Sequence, residues 1–118
     1  MAYHRITVPG IGTVELTVAE RGEGHPVLVL HGGGGPFTVD PWADRLAAAR
    51  HAHVLTPTHP GFDATPRPAA LDSISGLATA YVSLLEAVDL TDVTVVGNSI
   101  GGWITAEMAL LHSPRVSG

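Results

Sequence analysis

The sequence contains no cysteine, which excludes a disulfide framework and any zinc site built on thiolates. It also has few charges: only 14% of the 118 residues are charged, and the six basic residues are scattered along the chain. Because phosphate binding requires clustered Lys and Arg, the net charge of -5 argues against a nucleic-acid partner. No apolar stretch is long enough to span a bilayer, so we expect a cytoplasmic domain without a membrane partner.

Apolar residues are abundant, at 45% of the chain, which predicts one folded domain with a single core. The seven histidines are many for this length, but their spacing matches no metal motif, so we expect no metal and no cofactor. His51 and His53 alternate as residues of a strand do, which is only weak support for a metal site. Function therefore has to be inferred from the sequence motifs.

Short apolar runs and turn residues predict the order of the strands. Two alternating runs, Ile6 to Val8 and Thr13 to Ala19, predict an opening antiparallel hairpin. The continuous apolar run Val27 to Leu30 predicts a parallel strand that is buried on both faces. Two further buried strands are predicted at Ala52 to Thr56 and Val93 to Val96. Helical patterns alternate with these strands. The sequence therefore predicts an α/β fold, a three-layer sandwich with a mostly parallel sheet and right-handed crossovers.

Three helices are predicted between and after these strands. The first begins at Asp40, which we expect to cap it, with Pro41 at the first helical position. After a Pro- and Gly-rich loop over 56–72, the second is capped by Asp72 or Ser73. Its core-facing stripe comprises Leu77, Tyr81, Leu84, Leu85 and Val88. The third helix is expected to place on one face Ile100, Trp103, Ile104, Met108 and Leu111.

The segment Gly97-Asn98-Ser99-Ile100-Gly101 fits Gly-x-Ser-x-Gly between a predicted strand and a predicted helix. This is the context of a nucleophile elbow, in which a strained turn holds the serine hydroxyl above the sheet. Side chains two residues to either side of the serine would collide, which accounts for Gly97 and Gly101. Ser99 also falls at a helix N-terminus, where free N–H groups stabilise developing negative charge. Ser99 is therefore the candidate nucleophile, and the Ile100 N–H is a candidate oxyanion donor.

A second glycine-rich segment, His31 to Pro36, directly follows the predicted central strand. Consecutive glycines leave the backbone bare, and bare N–H groups can bind a substrate oxygen. Alone, the segment is better explained as a flexible loop without a catalytic role, but beside an elbow the oxyanion role is favoured. Neither glycine-rich segment fits Gly-x-Gly-x-x-Gly or a P-loop, which argues against a nucleotide-binding turn.

Together these segments resemble the first half of the α/β-hydrolase superfamily, and the resemblance covers nearly the whole chain. It rests on the hairpin, the strand that leads into His31, the turn segment Pro57 to Phe62, and the elbow Gly97 to Gly102, which includes Asn98. The resemblance implies that Gly33 supplies one oxyanion N–H, with Gly34 as the neighbour that can serve instead, and that Ile100 supplies the other. Asp63 stands where the family commonly has Gly, which puts the conformation of that loop in question.

A serine at the elbow differs from the haloalkane dehalogenases and epoxide hydrolases of the superfamily, which carry Asp there. The chemistry implied is acyl transfer through an ester of Ser99, on a small-molecule acyl substrate. Carboxylesterase, meta-cleavage carbon–carbon hydrolase, peptidase and lactonase all remain open. The alternative is a catalytically inactive, hydrolase-like fragment that serves as a binding or interaction module. We expect His31 to be structural, His59 to be a solvated loop residue, and Phe37, Trp42 and Phe62 to belong to the core or a pocket wall.

In this fold the catalytic acid and histidine follow the serine along the chain, and only Glu107 and His112 do so here. His112 would lie about 20 Å from the Ser99 hydroxyl, too far for proton transfer. We therefore expect residues 1–118 to be the N-terminal part of one domain, without acid, histidine or lid, and inactive alone. The Val93 to Val96 strand would lack a neighbour, so a second polypeptide or a homodimer is expected to complete the sheet.

Overall fold

The computed structural model describes residues 2–118, which form an α/β fold around one mixed sheet. Its elements in chain order are β1 (Ala2–Val8), β2 (Gly12–Arg21), β3 (His25–Leu30), α1 (Asp40–Arg50), β4 (Ala52–Thr58), α2 (Ile74–Ala87), β5 (Thr94–Gly97) and α3 (Ile100–Leu110). A 3-10 helical turn, Pro36–Thr38, precedes α1. The fold class expected from the sequence is confirmed.

The strands are ordered β1-β2-β4-β3-β5 across the sheet. The opening hairpin contributes the antiparallel pairings, β1 with β2 and β2 with β4, whereas β3 is parallel to both of its neighbours. The predicted hairpin and the central place of β3 are therefore confirmed. Because β3, β4 and β5 run in the same direction, the segments that leave their carboxyl ends emerge at one edge of the sheet.

The sheet is covered on both faces, as the alternation along β3 shows. Val27 and Val29 pack in a smaller core with residues of α1, such as the fully buried Ala43. Leu28 and Leu30 face the larger core, which contains the buried residues of α2 and α3. The result is a three-layer sandwich with one helix on one face and two on the other.

The helix starts differ in part from expectation. Asp40 does not cap α1, because Val39 is the N-cap residue and Asp40 is already helical. Its carboxylate instead accepts a hydrogen bond from the Arg21 guanidinium at 3.3 Å. Ser73 does cap α2, since its Oγ accepts from the Gly76 N–H at 2.9 Å. Within residues 2–118, no helix is long and apolar enough to cross a membrane.

The predicted apolar face of α3 is only partly buried. Ile104 and Met108, one turn apart, are buried, but Trp103 is 59% exposed and Leu111 lies beyond the helix and is exposed. Trp103 is adjacent to Ile104 and so lies about 100° around the helix from it, off the face that packs on α2. Val96 of β5 is also exposed, so this strand is not buried on both faces as predicted.

The expectation of an unpaired edge along β5 is wrong for the start of the strand. After α3 the chain returns beside β5, and Val116 forms a parallel bridge with Val93. The Ser117 N–H donates to the Val93 carbonyl at 2.9 Å, and the Val95 N–H donates to the Gly118 carbonyl at 2.8 Å. These backbone bonds satisfy the start of β5 on the side away from β3.

Candidate active site

Strand register brings the two glycine-rich segments together. Leu30 is paired with Gly97 in the parallel β3–β5 ladder, so the loop after β3 and the turn after β5 start side by side. The Asn98 N–H donates to the Leu30 carbonyl at 3.1 Å. A Cβ atom placed on Gly32 would lie 3.2 Å from the Ser99 Cβ, which shows how closely the segments approach.

Ser99 has backbone angles of φ 56° and ψ -115°, in a region that non-glycine residues rarely occupy. Such strain persists only where the surrounding structure holds it, and it is common at functional sites. Ser99 is exposed, and it is the N-cap residue of α3 without using its side chain to cap any group in residues 2–118. Its hydroxyl is therefore available at the positive end of a helix.

The glycines on either side of Ser99 are required by close packing. A Cβ on Gly97 would lie 2.1 Å from the Gly101 carbonyl oxygen, and a Cβ on Gly101 would lie 2.1 Å from the Leu30 carbonyl oxygen. This agrees with the steric reason given for both residues. Gly102 differs, because the nearest atom to its Cβ position is the Gly97 carbonyl oxygen, at an ordinary distance of 3.5 Å.

The first turn of α3 offers one unbonded donor. The N–H groups of Gly101 and Gly102 donate to the carbonyl oxygens of Asn98 and Ser99, at 2.9 and 2.8 Å. The Ile100 N–H has no acceptor among the hydrogen bonds found in residues 2–118. The Ile100 N–H is therefore free to donate to an anion beside Ser99.

The loop after β3 offers two further donors. Gly33 and Gly34 are exposed, and in the described part of the chain neither N–H has a protein acceptor. A Cβ on Gly33 would meet no atom within 4 Å, whereas one on Gly34 would lie 2.7 Å from the Thr38 side chain. Gly33 therefore faces open space beside the elbow.

A buried hydrogen-bond chain lies beneath this loop. The His59 backbone N–H donates to His31 Nε2 at 2.9 Å, and His31 Nδ1 contacts the Gly32 carbonyl oxygen at 2.7 Å. His59 Nε2 contacts the His31 carbonyl oxygen at 2.7 Å, and His59 Nδ1 contacts the Tyr81 hydroxyl at 2.5 Å. The two imidazole rings stack with their centroids 3.8 Å apart. Every ring nitrogen of His31 and His59 thus has a partner.

Burial lowers the pKa of both histidines, and that of His59 falls to about 4, with His31 as a second cause. Burial also raises the pKa of Tyr81. Both imidazoles are therefore neutral near pH 7, and neither has a nitrogen left to act as a base toward Ser99. The expectation that His59 is a solvated loop residue is wrong, since it is 1% exposed. Only the Tyr in an otherwise apolar helix stripe hinted at this network.

The turn after β4 closes over the histidines. Phe62 packs edge-on against His31, with ring centroids 5.1 Å apart. Asp63 and Ala64 follow with φ of 49° and 60°, in the left-handed region. Asp63 thus adopts a conformation that glycine takes at lower cost, which accounts for the glycine that the resemblance implies there.

An open cleft of about 700 Å³ lies between this turn and α3. Its apolar lining includes Phe62, Leu71, Ile74, Leu77 and Trp103. Phe62 thus contributes to a cleft wall, as one of the expected alternatives had it. Phe37 is 67% exposed but lines a second pocket, of about 300 Å³, so it too agrees with the pocket-wall alternative. Trp42 is 42% exposed and does not belong to the core.

The structure does not bring Glu107 or His112 to Ser99. His112 is exposed in the turn beyond the C-terminal end of α3, while Ser99 caps the opposite end. The 11 residues of the helix separate these ends by about 16 Å. Among residues 2–118, no group of three or more His, Cys, Asp or Glu side chains is arranged to hold a metal ion.

Known proteins similar to this chain include several hydrolases. Residues 25–118 match the alpha/beta hydrolase fold family. The chain is 31% identical over 110 residues to the 2-hydroxy-6-oxo-2,4-heptadienoate hydrolase of Pseudomonas putida, covering 89% of this chain and 39% of that protein. It is 34% identical over 109 residues to Epoxide hydrolase A of Mycobacterium tuberculosis, covering 88% of this chain and 34% of that protein.

Among solved structures, a thermophilic esterase from Thermogutta terrifontis has a TM-score of 0.87 and 22% sequence identity. The match covers 98% of this chain and 43% of the esterase, and at this identity it supports the fold alone. The chain spans less than half the length of each of these three proteins.

Proposed function

Because this chain belongs to the alpha/beta hydrolase fold family, we propose that it carries the nucleophile of a serine hydrolase, Ser99. The bond cleaved is an ester or related acyl bond, or an activated carbon–carbon bond, through an acyl-enzyme on Ser99. The observation that carries the proposal is the strained, exposed Ser99 at the start of α3, beside N–H groups without protein acceptors.

In the proposed reaction, Ser99 Oγ attacks the substrate carbonyl carbon while its proton passes to a base. The N–H groups of Ile100 and Gly33 donate to the oxyanion, with Gly34 as the alternative donor. Collapse expels the leaving group, which receives the proton, and water then hydrolyses the ester of Ser99. Each well-placed oxyanion donor typically contributes about 10²-fold to 10³-fold to the rate.

We further propose that residues 1–118 are the N-terminal part of one hydrolase domain, and that the acid and base lie outside them. The support is that His31 and His59 have no free ring nitrogen and that His112 lies at the far end of α3. A second polypeptide, or a further segment of a longer protein, would supply both groups. A homodimer is a weaker candidate, because Val116 already pairs with the β5 edge that it was expected to cover.

The substrate class is proposed from the residue at the elbow and from the cleft. Of the two relatives described above, one is named for a heptadienoate and the other for an epoxide. A serine supports acyl transfer in preference to epoxide opening, since a hydroxyl forms an ester with a carbonyl substrate. The cleft beside Trp103 is mostly apolar, although Arg67, Asp72 and Ser73 also line it, and Trp103 lies one helical turn from Ser99. It favours a substrate with an apolar part. The cytoplasmic location stays a prediction.

The second candidate is an inactive hydrolase-like module that binds a partner. One observation favours it: within residues 2–118, neither Glu107 nor His112 lies at the Ser99 end of α3. The two candidates differ in whether Ser99 reacts.

Labelling with a fluorophosphonate probe tests the proposal on the 118-residue chain alone and on the completed protein. The completed protein is this chain together with the polypeptide or segment that supplies the acid and the base. We expect labelling of the completed wild-type protein, loss of labelling in Ser99→Ala, and unchanged labelling in the control Ser75→Ala, an exposed serine of α2. Hydrolysis of p-nitrophenyl acetate should follow the same pattern. Labelling that survives Ser99→Ala would exclude Ser99 as the nucleophile.

Light scattering after size-exclusion chromatography tests completion. A monomer of 12.2 kDa with Ser99-dependent ester turnover would contradict the proposal that acid and base come from elsewhere. A completed protein that folds, binds a partner and never reacts at Ser99 would support the module instead.

A further inference from the structure

Tyr81 is the one polar side chain in the buried stripe of α2, and it is fully buried. Its hydroxyl bonds to His59 Nδ1, and through His59 and His31 it is connected to the loop after β3. A Phe at this position would fill the same space in the apolar core. The hydroxyl is thus explained by the hydrogen-bond chain and not by packing.

The hydrogen bonds between Tyr81, His59 and His31 allow only one arrangement of protons while both imidazole rings are neutral. The His59 backbone N–H is a donor, so His31 Nε2 accepts and His31 Nδ1–H donates to the Gly32 carbonyl. The His31 carbonyl is an acceptor, so His59 Nε2–H donates to it and His59 Nδ1 accepts. Tyr81 must then be the donor to His59 Nδ1.

The hydrogen-bond chain holds the Gly32 carbonyl, and the direction of that carbonyl sets the direction of the Gly33 N–H. A peptide unit is planar and trans, so the Gly32 carbonyl and the Gly33 N–H point in opposite directions. Holding the Gly32 oxygen at 2.7 Å from His31 Nδ1 therefore helps to fix the direction of the Gly33 N–H. The Gly35 N–H donates to the same Gly32 oxygen at 3.1 Å, so the turn shares this constraint with His31. Gly33 itself adds none, because it has no side chain and its Cβ position meets no atom within 4 Å.

We propose that Tyr81 is a positioning residue, which acts through His59 and His31 to fix the direction of the Gly33 N–H. As part of the hydrolase proposed above, this would hold the oxyanion donor in place before the substrate arrives. Tyr81 touches no reacting atom in this scheme. Its effect on the reaction should appear in the chemical step and not in substrate binding.

The test is Tyr81→Phe, which removes one oxygen and keeps the ring, with Tyr3→Phe as the control on an exposed tyrosine. In the completed enzyme, we expect kcat to fall between about 10-fold and 100-fold with KM changed less than about twofold. A purely structural role would lower thermal stability without this split. Equal loss of kcat in Tyr3→Phe, or an unchanged kcat in Tyr81→Phe, would overturn the proposal.

A nitrogen-15 NMR measurement on the 118-residue chain separates this inference from the proposed hydrolase activity. We expect His31 as the Nδ1–H tautomer and His59 as the Nε2–H tautomer, and a shift of the Gly33 amide resonance in Tyr81→Phe that is absent in Tyr3→Phe. If Tyr81→Phe does not fold, the wild-type tautomers decide alone. Opposite tautomers overturn the positioning role, even if Ser99 proves to be the nucleophile. The expected tautomers together with an inert Ser99 would refute only the hydrolase.

Discussion

The two glycine-rich segments at the carboxyl ends of β3 and β5 have similar composition but opposite surroundings. In the elbow, Gly97 and Gly101 are glycine because carbonyl oxygens lie 2.1 Å from where their Cβ atoms would be. In the loop after β3, the Cβ position of Gly33 is empty. Glycine at the elbow allows the backbone of the turn to pack closely against itself and against β3. Glycine at Gly33 leaves room for another molecule.

The segments are also held in place by different forces. The elbow is held by backbone contacts, such as the bond from the Asn98 N–H to the Leu30 carbonyl. The loop has one backbone bond of its own, from the Gly35 N–H to the Gly32 carbonyl, but side chains hold it as well, because His31 and His59 bond to the carbonyls of Gly32 and His31. The backbone contacts of the elbow do not depend on pH, whereas the hydrogen bonds of the loop do, because they require neutral imidazoles. The two segments should therefore respond differently to mutation and to acid.

The largest effect is expected for Gly101→Ala. The added Cβ would overlap the Leu30 carbonyl at 2.1 Å, and neither backbone can move without disturbing the β3–β5 pairing. We expect the free energy of unfolding to fall by about 3 kcal/mol or more, measured by urea denaturation. A loss under about 1 kcal/mol would show that the elbow relaxes easily and that close packing is not why this glycine is needed.

The second largest effect is expected from acid, which should weaken the loop after β3. The pKa of His59 is lowered from its ordinary value to about 4, so below about pH 6.5 the unfolded chain binds a proton that the folded chain refuses. Stability is then complete above pH 6.5 and is lost as the pH falls toward 4, by about 3 kcal/mol for His59. Burial also lowers the pKa of His31, which acts in the same direction; its hydrogen bond to the Gly32 carbonyl and the negative charge of Asp40 oppose this in part.

Urea denaturation between pH 7.5 and 4.5 would measure this loss, and NMR titration would locate it. We expect the ring resonances of His59 to keep their neutral shifts until about pH 4. Amide resonances of the Gly32–Gly33 segment should then change before those of Asn98 and Gly101. Stability that is constant over this range, or an elbow that changes first, would remove the proposed difference between the segments.

Gly33→Val should affect turnover and not folding. Its Cβ meets no atom within 4 Å, so the folded chain has room for the side chain, while the oxyanion position beside it becomes crowded. We expect kcat/KM of the completed enzyme to fall about 10²-fold, with the melting temperature close to that of wild type. Ala69→Val, on an exposed loop, is the control. Wild-type turnover in Gly33→Val would show that the loop has no part in oxyanion binding.

The smallest effect should have the opposite sign. Gly102→Ala places a Cβ at an ordinary 3.5 Å from the Gly97 carbonyl, within a helix that favours alanine. We expect a gain of about 0.5 to 1 kcal/mol in the free energy of unfolding, by the same urea measurement. Adjacent glycines of α3 would then differ in sign. Destabilisation comparable to that of Gly101→Ala would mean that the whole turn, and not one contact, requires glycine.

The sequence by itself determined the order of strands and helices and the Gly-x-Ser-x-Gly turn at Ser99. The reason is that hydrophobic periodicity, capping at Ser73 and the crowding of a tight turn act between residues that are close in the chain. The predicted hairpin of β1 and β2 is of this kind. Asp40 shows the limit, since the helix has Val39 as its N-cap and the Asp40 carboxylate bonds instead to Arg21, which is distant in the chain.

Only the tertiary structure decided which polar groups are buried and which apolar ones are exposed. His59 is buried because β3, β4 and α2 bring His31 and Tyr81 to it, and both partners are more than 20 residues away in the chain. Trp103 is exposed because α3 packs through Ile104, which lies about 100° around the helix from it. Such contacts depend on the strand order across the sheet, which local propensity does not encode. The open space beside Gly33 arises in the same way, from the elements that surround it and not from the run of glycines.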